Sequence, residues 1–375
     1  MKNLDICMPN YSESIVNISN SFLKYFGIKP YHDTLPKLDK LLEKNYKNVV
    51  FIIFDGMGSF LMENHLPEDS IFRRNKIMNL TSVFPCTTAT AITSMNSALM
   101  PIEHGWLAWQ CYFKEYNRFI ELFKNKDFYT SETVSETNVA ETMLRYKSVV
   151  EIIQENNSDI KTKLIYPSFK KGGLDTVEEM FESMARTCKE GGKKFISIYW
   201  DSPDHIIHET GCFSEKTHHF INKINKYLEE TSKVLKNTLI VITADHGLID
   251  IDEYIELSKV PEINDCLIMP PSMEGRVSSF VVKYEKREQF KEAFNKLYGK
   301  DFKLFKKEEY IKQFLGEGKK HYKVDDFVGD FVSIAITQKS FKYTTENTKP
   351  SSPNVALHAG LTAQEMTVPL IAVEL

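Results

Sequence analysis

Asn48-Val49-Val50-Phe51-Ile52-Ile53-Phe54-Asp55-Gly56-Met57-Gly58 is the stretch that decides the fold. Six apolar residues, Val49 to Phe54, run without a polar break. That pattern predicts a strand buried on both faces, as in the middle of a parallel sheet. A carboxylate at the carboxyl end of such a strand, followed by two glycines, sits where open α/β sheets collect their ligands. An Asp at that place also caps helices. The functional reading therefore depends on what other strand ends contribute.

Two further runs supply them. Phe195-Ile196-Ser197-Ile198-Tyr199-Trp200 reads as a strand leading into Asp201-Ser202-Pro203-Asp204-His205-Ile206-Ile207-His208. Thr238-Leu239-Ile240-Val241-Ile242-Thr243-Ala244 reads as another, ending at Asp245-His246-Gly247. Between them an amphipathic helix is expected, with Phe220, Ile224, Leu228 and Leu235 along one face. Strand, helix, strand with polar strand ends predicts an α/β fold built on a doubly wound, mostly parallel sheet.

Weaker signals predict a strand over 161–166, a helix over 176–188 and a closing strand over 368–373. Residues 1–45 are expected to be helical and peripheral, with Ile15, Ile18, Phe22 and Tyr25 at helical spacing. Residues 107–150 read as a partly buried loop region. From 255 to 345 the pattern changes to a strand (Val277 to Val282), a lysine-rich helix (Arg287 to Tyr298) and a strand (Phe331 to Thr337). This predicts a small, cap-like α+β insert at 255–345 in a core formed by 1–254 and 346–375.

At 375 residues and 42% hydrophobic content the chain can bury a large core. Its 47 basic and 51 acidic residues give a net charge of −4 with no long basic run. A nucleic acid polymer is therefore not an expected partner, whereas a small phosphorylated molecule is compatible. Met1-Lys2-Asn3-Leu4-Asp5 lacks the apolar core of a signal peptide, and no stretch approaches the roughly 18 apolar residues of a membrane span. The six cysteines are scattered without CxxC spacing. Together these features predict reduced thiols in a cytoplasmic protein that does not engage membranes.

Divalent metals of the zinc kind accept carboxylate oxygens and imidazole nitrogens. The chain offers Asp55, the pair Asp204 and His208 at one helical turn, the adjacent pair Asp245 and His246, and His358. Six ligands suffice for two ions. His205, His218 and His219 read as solvent-facing or supporting residues, and Asp201 as a supporting partner or helix cap. Leu80-Thr81-Ser82-Val83-Phe84-Pro85-Cys86-Thr87-Thr88-Ala89-Thr90-Ala91 begins extended and ends in small, helix-compatible residues. This suits a turn feeding a helix whose first amides face an anion.

In order, these motifs resemble the alkaline phosphatase superfamily, and most closely its type I phosphodiesterase and nucleotide pyrophosphatase branch. The matching pieces are Asp55-Gly56, Phe84-Pro85-Cys86-Thr87-Thr88, Pro101-Ile102-Glu103-His104-Gly105, Asp204 through His208, Thr243-Ala244-Asp245-His246-Gly247, and His358-Ala359-Gly360-Leu361-Thr362 with Val368-Pro369-Leu370. The resemblance implies two divalent ions, zinc first, with manganese or iron as alternatives. Asp55, Asp245 and His246 would hold the ion that also binds the nucleophile, and Asp204, His208 and His358 the second. Counting back from His104-Gly105 puts the nucleophile, itself a metal ligand, at Thr88, with Thr87 as runner-up. The implied activity is a phosphodiesterase or nucleotide pyrophosphatase working through a phosphothreonine. The rivals are a phosphomutase of the same superfamily, a phosphomonoesterase and a non-catalytic phosphate-binding relative. A sulfatase is disfavoured, because Cys86 lacks the following Pro and Arg that formylglycine maturation needs.

Diesterases of this branch often carry an asparagine just past the His-Gly pair, contacting the phosphoryl oxygen. Here Trp109 aligns with it and Gln110 follows. Two expectations result. Arg276, in Glu274-Gly275-Arg276, is the arginine that could swing in from the insert toward a phosphoryl group. Trp106, Trp109, Tyr112 and Phe113 are rings that could stack on a base or aryl group or, equally, pack in the interior.

Overall fold

Asn48–Phe54 (β1) is a strand in the computed structural model, and every one of its residues is buried. Fully burying a Val, Ile or Phe side chain contributes about 1.5–3 kcal/mol, so this strand anchors the core. The structure describes residues 4–348 and 352–375. Met1 to Asn3, within the N-terminal stretch read above for a leader, and residues 349–351, at the expected return to the core, lie outside the described residues.

β1 sits inside a six-stranded sheet with Lys76–Thr81 (β2), Ile160–Ile165 (β3), Lys193–Trp200 (β4), Thr238–Thr243 (β5) and Thr367–Glu374 (β6), in the order β2-β6-β5-β1-β4-β3. β1 runs parallel to β4, with Phe54 opposite Trp200, and to β5, with Ile53 opposite Thr243. β3 joins β4 in parallel. β6 alone is reversed, pairing antiparallel with both β5 and β2. This is the mostly parallel α/β sheet expected, and its register brings the carboxyl ends of β1, β4 and β5 level.

The helices that matter for the site are Ile15–Tyr25 (α1), Thr88–Ser97 (α2), Val177–Lys189 (α3), Asp204–Thr210 (α4), Glu215–Ser232 (α5) and Arg287–Tyr298 (α6). α3 opens with a capping box between Thr176 and Glu179. α5 buries Thr217, Ile221, Ile224, Leu228 and Thr231. Phe220 lies beside that face, half-buried, and Leu235 is buried beyond the helix end.

One expectation needs correcting. α1 is not peripheral: Phe22 packs at 5.1 Å from Phe51 and 5.2 Å from Phe195, ring centre to ring centre. Its polar residues are buried too, because they are hydrogen-bonded. Ser19 Oγ donates to Met95 O at 2.5 Å, and Asn20 Nδ2 to Ala98 O at 3.0 Å, tying α1 to the end of α2. Residues 107–150 are mostly loop and turn, as expected, with short regular pieces inside them. They contain a three-stranded antiparallel sheet at 110–113, 118–121 and 126–127. Strands this short fall below what alternation can resolve.

Within 255–345 lies a four-stranded antiparallel sheet ordered 272–273, 277–280, 331–335, 302–306. Phe280, Phe331 and Phe341 pack with Phe290 and Phe294 of α6. Met273, Val277, Val332 and Ile334 join a different cluster, with Phe84, Trp106 and Ile120. Part of this segment thus packs on the turn before α2. No helix among the described residues is long and apolar enough to cross a membrane.

Candidate active site

Three strand ends are locked by their backbones. Asp55 N donates to Trp200 O at 2.9 Å, and Asp204 N donates to Asp55 O at 3.0 Å. Asp245 Oδ1 accepts from Gly56 N at 3.0 Å and from His246 N at 2.9 Å. Gly56 has φ +74°, and a Cβ there would stand 2.6 Å from Leu248 Cδ1 and 2.8 Å from the Asp204 Cβ. Only glycine fits both demands.

The side chains converge in two overlapping groups, Asp204 with His208 and His358, and Asp55 with Asp204 and His246; within each, ligand atoms lie within 4.8 Å of one another. Asp204 therefore spans both groups. Its Oδ2 is 3.1 Å from His208 Nε2 and its Oδ1 is 4.0 Å from His358 Nε2. Asp245 Oδ2 is 3.3 Å from His246 Nε2, and Asp55 Oδ1 is 3.5 Å from it. The His246 and His358 rings stack at 3.8 Å.

The imidazoles are prepared as ligands. His208 Nδ1 faces Ala356 O at 2.7 Å, His246 Nδ1 faces Gly247 O at 3.2 Å, and His358 Nδ1 faces Cys86 O at 3.2 Å. Each Nδ1–H donates to a carbonyl, which leaves each Nε2 as the free lone pair pointing inward. Asp55 Oδ1, Asp204 Oδ1 and Asp245 Oδ2 are buried without a hydrogen-bond partner. Stranding one buried acceptor costs about 1–3 kcal/mol, and more when it is charged. Unpaired carboxylate oxygens facing bare imidazole nitrogens are the donor set of a divalent cation site, so these residues fit two such ions.

Without a cation the charges strain against one another. Burial, and then Asp245 and Asp204, push the Asp55 carboxyl well above its ordinary value. Burial also pushes Asp245 up, against the pull of His246. Burial drives His358 well down, and His246 adds to that. For His208 burial acts downward, but Asp204 outweighs it and raises the imidazole to about 9. A dication among these groups favours ionised carboxylates and neutral imidazoles throughout.

Thr88 is the first residue of α2, and its Oγ1 lies 3.2 Å from His246 Nε2. Thr87 precedes it in extended conformation (φ −129°, ψ 149°) and makes no side-chain cap, so the first-turn amides of α2 stay available to an anion. Cys86 is fully buried with its Sγ on Gly360 O, and burial pushes its thiol well up, which makes it inert. Of the other candidates, His205, His218 and His219 are exposed. Asp201 accepts from Ser202 Oγ at 3.2 Å and from His205 N, as a turn residue does.

Arg276 does not reach toward the nucleophile. Its Nε and Nη2 donate to the two oxygens of Glu365 at 2.6 and 2.7 Å, both side chains fully buried, and Nη1 donates to Lys339 O. Glu365 also accepts from Gly360 N and Thr362 Oγ1, each at 2.7 Å, so the pair holds the loop that carries His358. Trp109 is likewise committed: its Nε1 donates to Glu121 at 2.9 Å and its ring packs on Phe123. Gln110 is buried with its side-chain oxygen unpartnered.

Three side chains escaped the sequence reading. Tyr199 OH donates to Asp55 Oδ2, so that Oδ1 is the oxygen left for a cation. The register signals this contact, since Tyr199 stands opposite Ile53 and shares its face with Asp55 two residues on. Glu365 could not be found locally, because its partner is 276. Glu274 accepts from Trp109 N at 2.9 Å, beside Thr87. Burial raises its carboxyl, while Thr87, the Trp109 N–H and the site histidines hold it down.

The sequence matches the family model for type I phosphodiesterase / nucleotide pyrophosphatase over residues 49–360. No curated protein matches it. Among solved structures, murine ectonucleotide pyrophosphatase/phosphodiesterase 5 superposes with a TM-score of 0.60 at 18% identity, covering 87% of this chain and 88% of that one. The human counterpart gives 0.61 at 17% identity, with 87% of each chain covered. Phosphonoacetate hydrolase from Sinorhizobium meliloti 1021, in complex with phosphonoacetate, gives 0.64 at 12% identity, covering 86% and 89%. At these identities the superpositions speak to the fold.

Proposed function

The chain belongs to the type I phosphodiesterase / nucleotide pyrophosphatase family, and from that premise we propose that it cleaves a phosphodiester or nucleotide pyrophosphate through a phosphothreonine at Thr88. The observation that carries this reading is the set of three orphaned carboxylate oxygens gathered with the Nε2 atoms of His208, His246 and His358, the Thr88 hydroxyl lying 3.2 Å from that of His246. Asp55, Asp245 and His246 would hold one divalent ion, and Asp204, His208 and His358 the other, with Asp204 able to serve both. Zinc suits the mixed carboxylate and imidazole set, with manganese or iron as alternatives. Two such ions supply positive charge that favours the alkoxide of Thr88 and the charge on the departing oxygen.

Thr88 Oγ attacks phosphorus in line, one P–O bond forms, and the bond to the leaving group breaks. Water then hydrolyses the phosphothreonine and restores the hydroxyl, which returns the overall reaction to a simple hydrolysis. First-turn amides of α2 donate to a non-bridging oxygen. A nucleotide substrate is supported by the murine relative, whose inactive threonine-to-alanine variant was solved in complex with AMP. The sequestered Arg276 favours a singly charged diester over a doubly charged monoester. All six cysteines are unpaired, which supports a compartment that keeps thiols reduced, such as the cytoplasm.

The test is a panel of aryl phosphodiester, aryl monoester and nucleotide pyrophosphate, run before and after chelation and after readdition of zinc or manganese. The expected result is about two ions per chain, loss of turnover on chelation, recovery on readdition, and the diester or pyrophosphate turned over with the higher kcat/KM. Full turnover with chelated protein would sink the metal reading. Return of the phosphoryl group to a second position on the product, without release of a nucleoside monophosphate, would turn the assignment to a mutase.

A further inference from the structure

Glu274 belongs to none of the groups used above, yet the fold aims it at the nucleophile turn. It lies in Met273-Glu274-Gly275-Arg276, which enters from the insert, and that turn is held on every side. Met273 takes a left-handed φ of +76°. Glu274 N donates to Val277 O at 2.8 Å, and Ser278 Oγ donates to Glu274 O at 2.7 Å. Arg276 is pinned to Glu365. Glu274 is half-buried as a residue. Its Oε1 accepts from Trp109 N, and Thr87, the neighbour of the proposed nucleophile, lies beside it. The cation of this turn, Arg276, is thus committed to Glu365, while the anion stands on Trp109 N beside Thr87, the residue before Thr88.

Building on the phosphodiester reading above, we propose that Glu274 is a specificity-determining residue that sorts substrates by charge. A phosphomonoester brings two negative charges to Thr88 and a diester one. A fixed carboxylate beside the nucleophile turn opposes the additional charge, because burial leaves it screened less than it would be in bulk water. The competing account is a brace: Glu274 would merely hold the Trp109 N–H and the start of α2. The two accounts differ for Glu274→Gln, which keeps the side-chain length and an oxygen for Trp109 N but removes the charge.

The experiment compares metal-loaded wild type and Glu274→Gln on a bis-aryl phosphodiester and the matching aryl monoester. It is run at about pH 8, where the monoester, with a second pKa near 6, is doubly charged. Inhibition of diester cleavage by inorganic phosphate is measured alongside. The expected result is that the diester-to-monoester ratio of kcat/KM falls by tenfold or more in the variant, and that phosphate inhibits correspondingly more tightly. Glu274→Ala, a second variant, should move both readouts in the same direction. An unchanged ratio, or equal losses on both esters with unaltered phosphate inhibition, overturns the proposal and leaves the brace. A wild type that already prefers the monoester sinks the diesterase reading instead, while the shift between wild type and variant still reads Glu274 on its own.

Discussion

The two walls of the site are made differently. On the sheet side, Asp55, Asp204 and Asp245 sit at the ends of β1, β4 and β5, each a residue or a few beyond a buried strand. On the other side, Arg276 pairs with Glu365 and Glu274 accepts from Trp109 N, each across a long stretch of chain. The sheet wall is a consequence of topology: parallel strands in register must deliver their carboxyl ends to one edge. The insert wall includes, beside its apolar packing, a fully buried ion pair between two distant segments. The first wall would supply the chemistry, and the second would set what may approach it.

Thr88→Ala strikes the sheet wall hardest, by removing the covalent step. Turnover should fall by about four orders of magnitude, roughly 5 kcal/mol of transition-state stabilisation, with metal content kept. Thr87→Ala should cost far less, since its hydroxyl faces Glu274 rather than His246. Steady-state kinetics on the two variants decide, and a reversed order of severity would move the nucleophile by one residue.

Arg276→Met tests how far that pair holds the insert wall. It strands the Glu365 carboxylate in a site with no access to water, at a cost of about 3–5 kcal/mol, and should loosen the loop carrying His358. Denaturant midpoints and elemental analysis read the two consequences. A stability within 1 kcal/mol of wild type, on the order of an ordinary surface change, would refute the clamp.

Tyr199→Phe is milder and falls on the sheet side. Losing the donor on Asp55 Oδ2 should weaken metal affinity by about 10–100-fold in a chelator competition, while the melting temperature moves little. Equal metal affinity in the two proteins would mean that Asp55 needs no help to present Oδ1.

Trp109→Ala should have the smallest effect on selectivity. The ring is engaged with Glu121 and Phe123, with Lys124 5.2 Å from its centre. A loss of about 1 kcal/mol in stability is expected, with the diester-to-monoester ratio unchanged within about threefold. A larger drop in that ratio would bring Trp109 back as a substrate contact.

What the sequence disclosed follows the same division. The six apolar residues before Asp55, the four-residue step from Asp204 to His208 and the strand running into Asp245 are local patterns, and local patterns can be read from order alone. Tyr199 was hidden because an aromatic within an apolar run looks like core, and its hydroxyl contact appears only with the register between β1 and β4. The place of Arg276 stayed open in the sequence because nothing near it names Glu365 as its partner. The strands at 110–113, 118–121 and 126–127 are too short for alternation to register. α1 was underrated since its buried Asn and Ser residues look polar until their partners on α2 are known.

The reversed strand β6 has a consequence for how the molecule comes into being. Residues 367–374 fill the gap between β2, which ends at Thr81, and β5, which ends at Thr243. A ribosome emits the chain from the amino end, so both neighbours emerge long before the strand that joins them. Until it arrives, β2 has no partner in the sheet and one side of β5 is an open edge, a surface prone to pairing with other chains. Glu365, two residues before that strand, arrives in the same stretch and clamps the insert to the His358 loop. Completion of the sheet and clamping of the His358 loop are therefore one late event, whereas the ends of β1, β4 and β5 that carry Asp55, Asp204 and Asp245 can already be paired with one another.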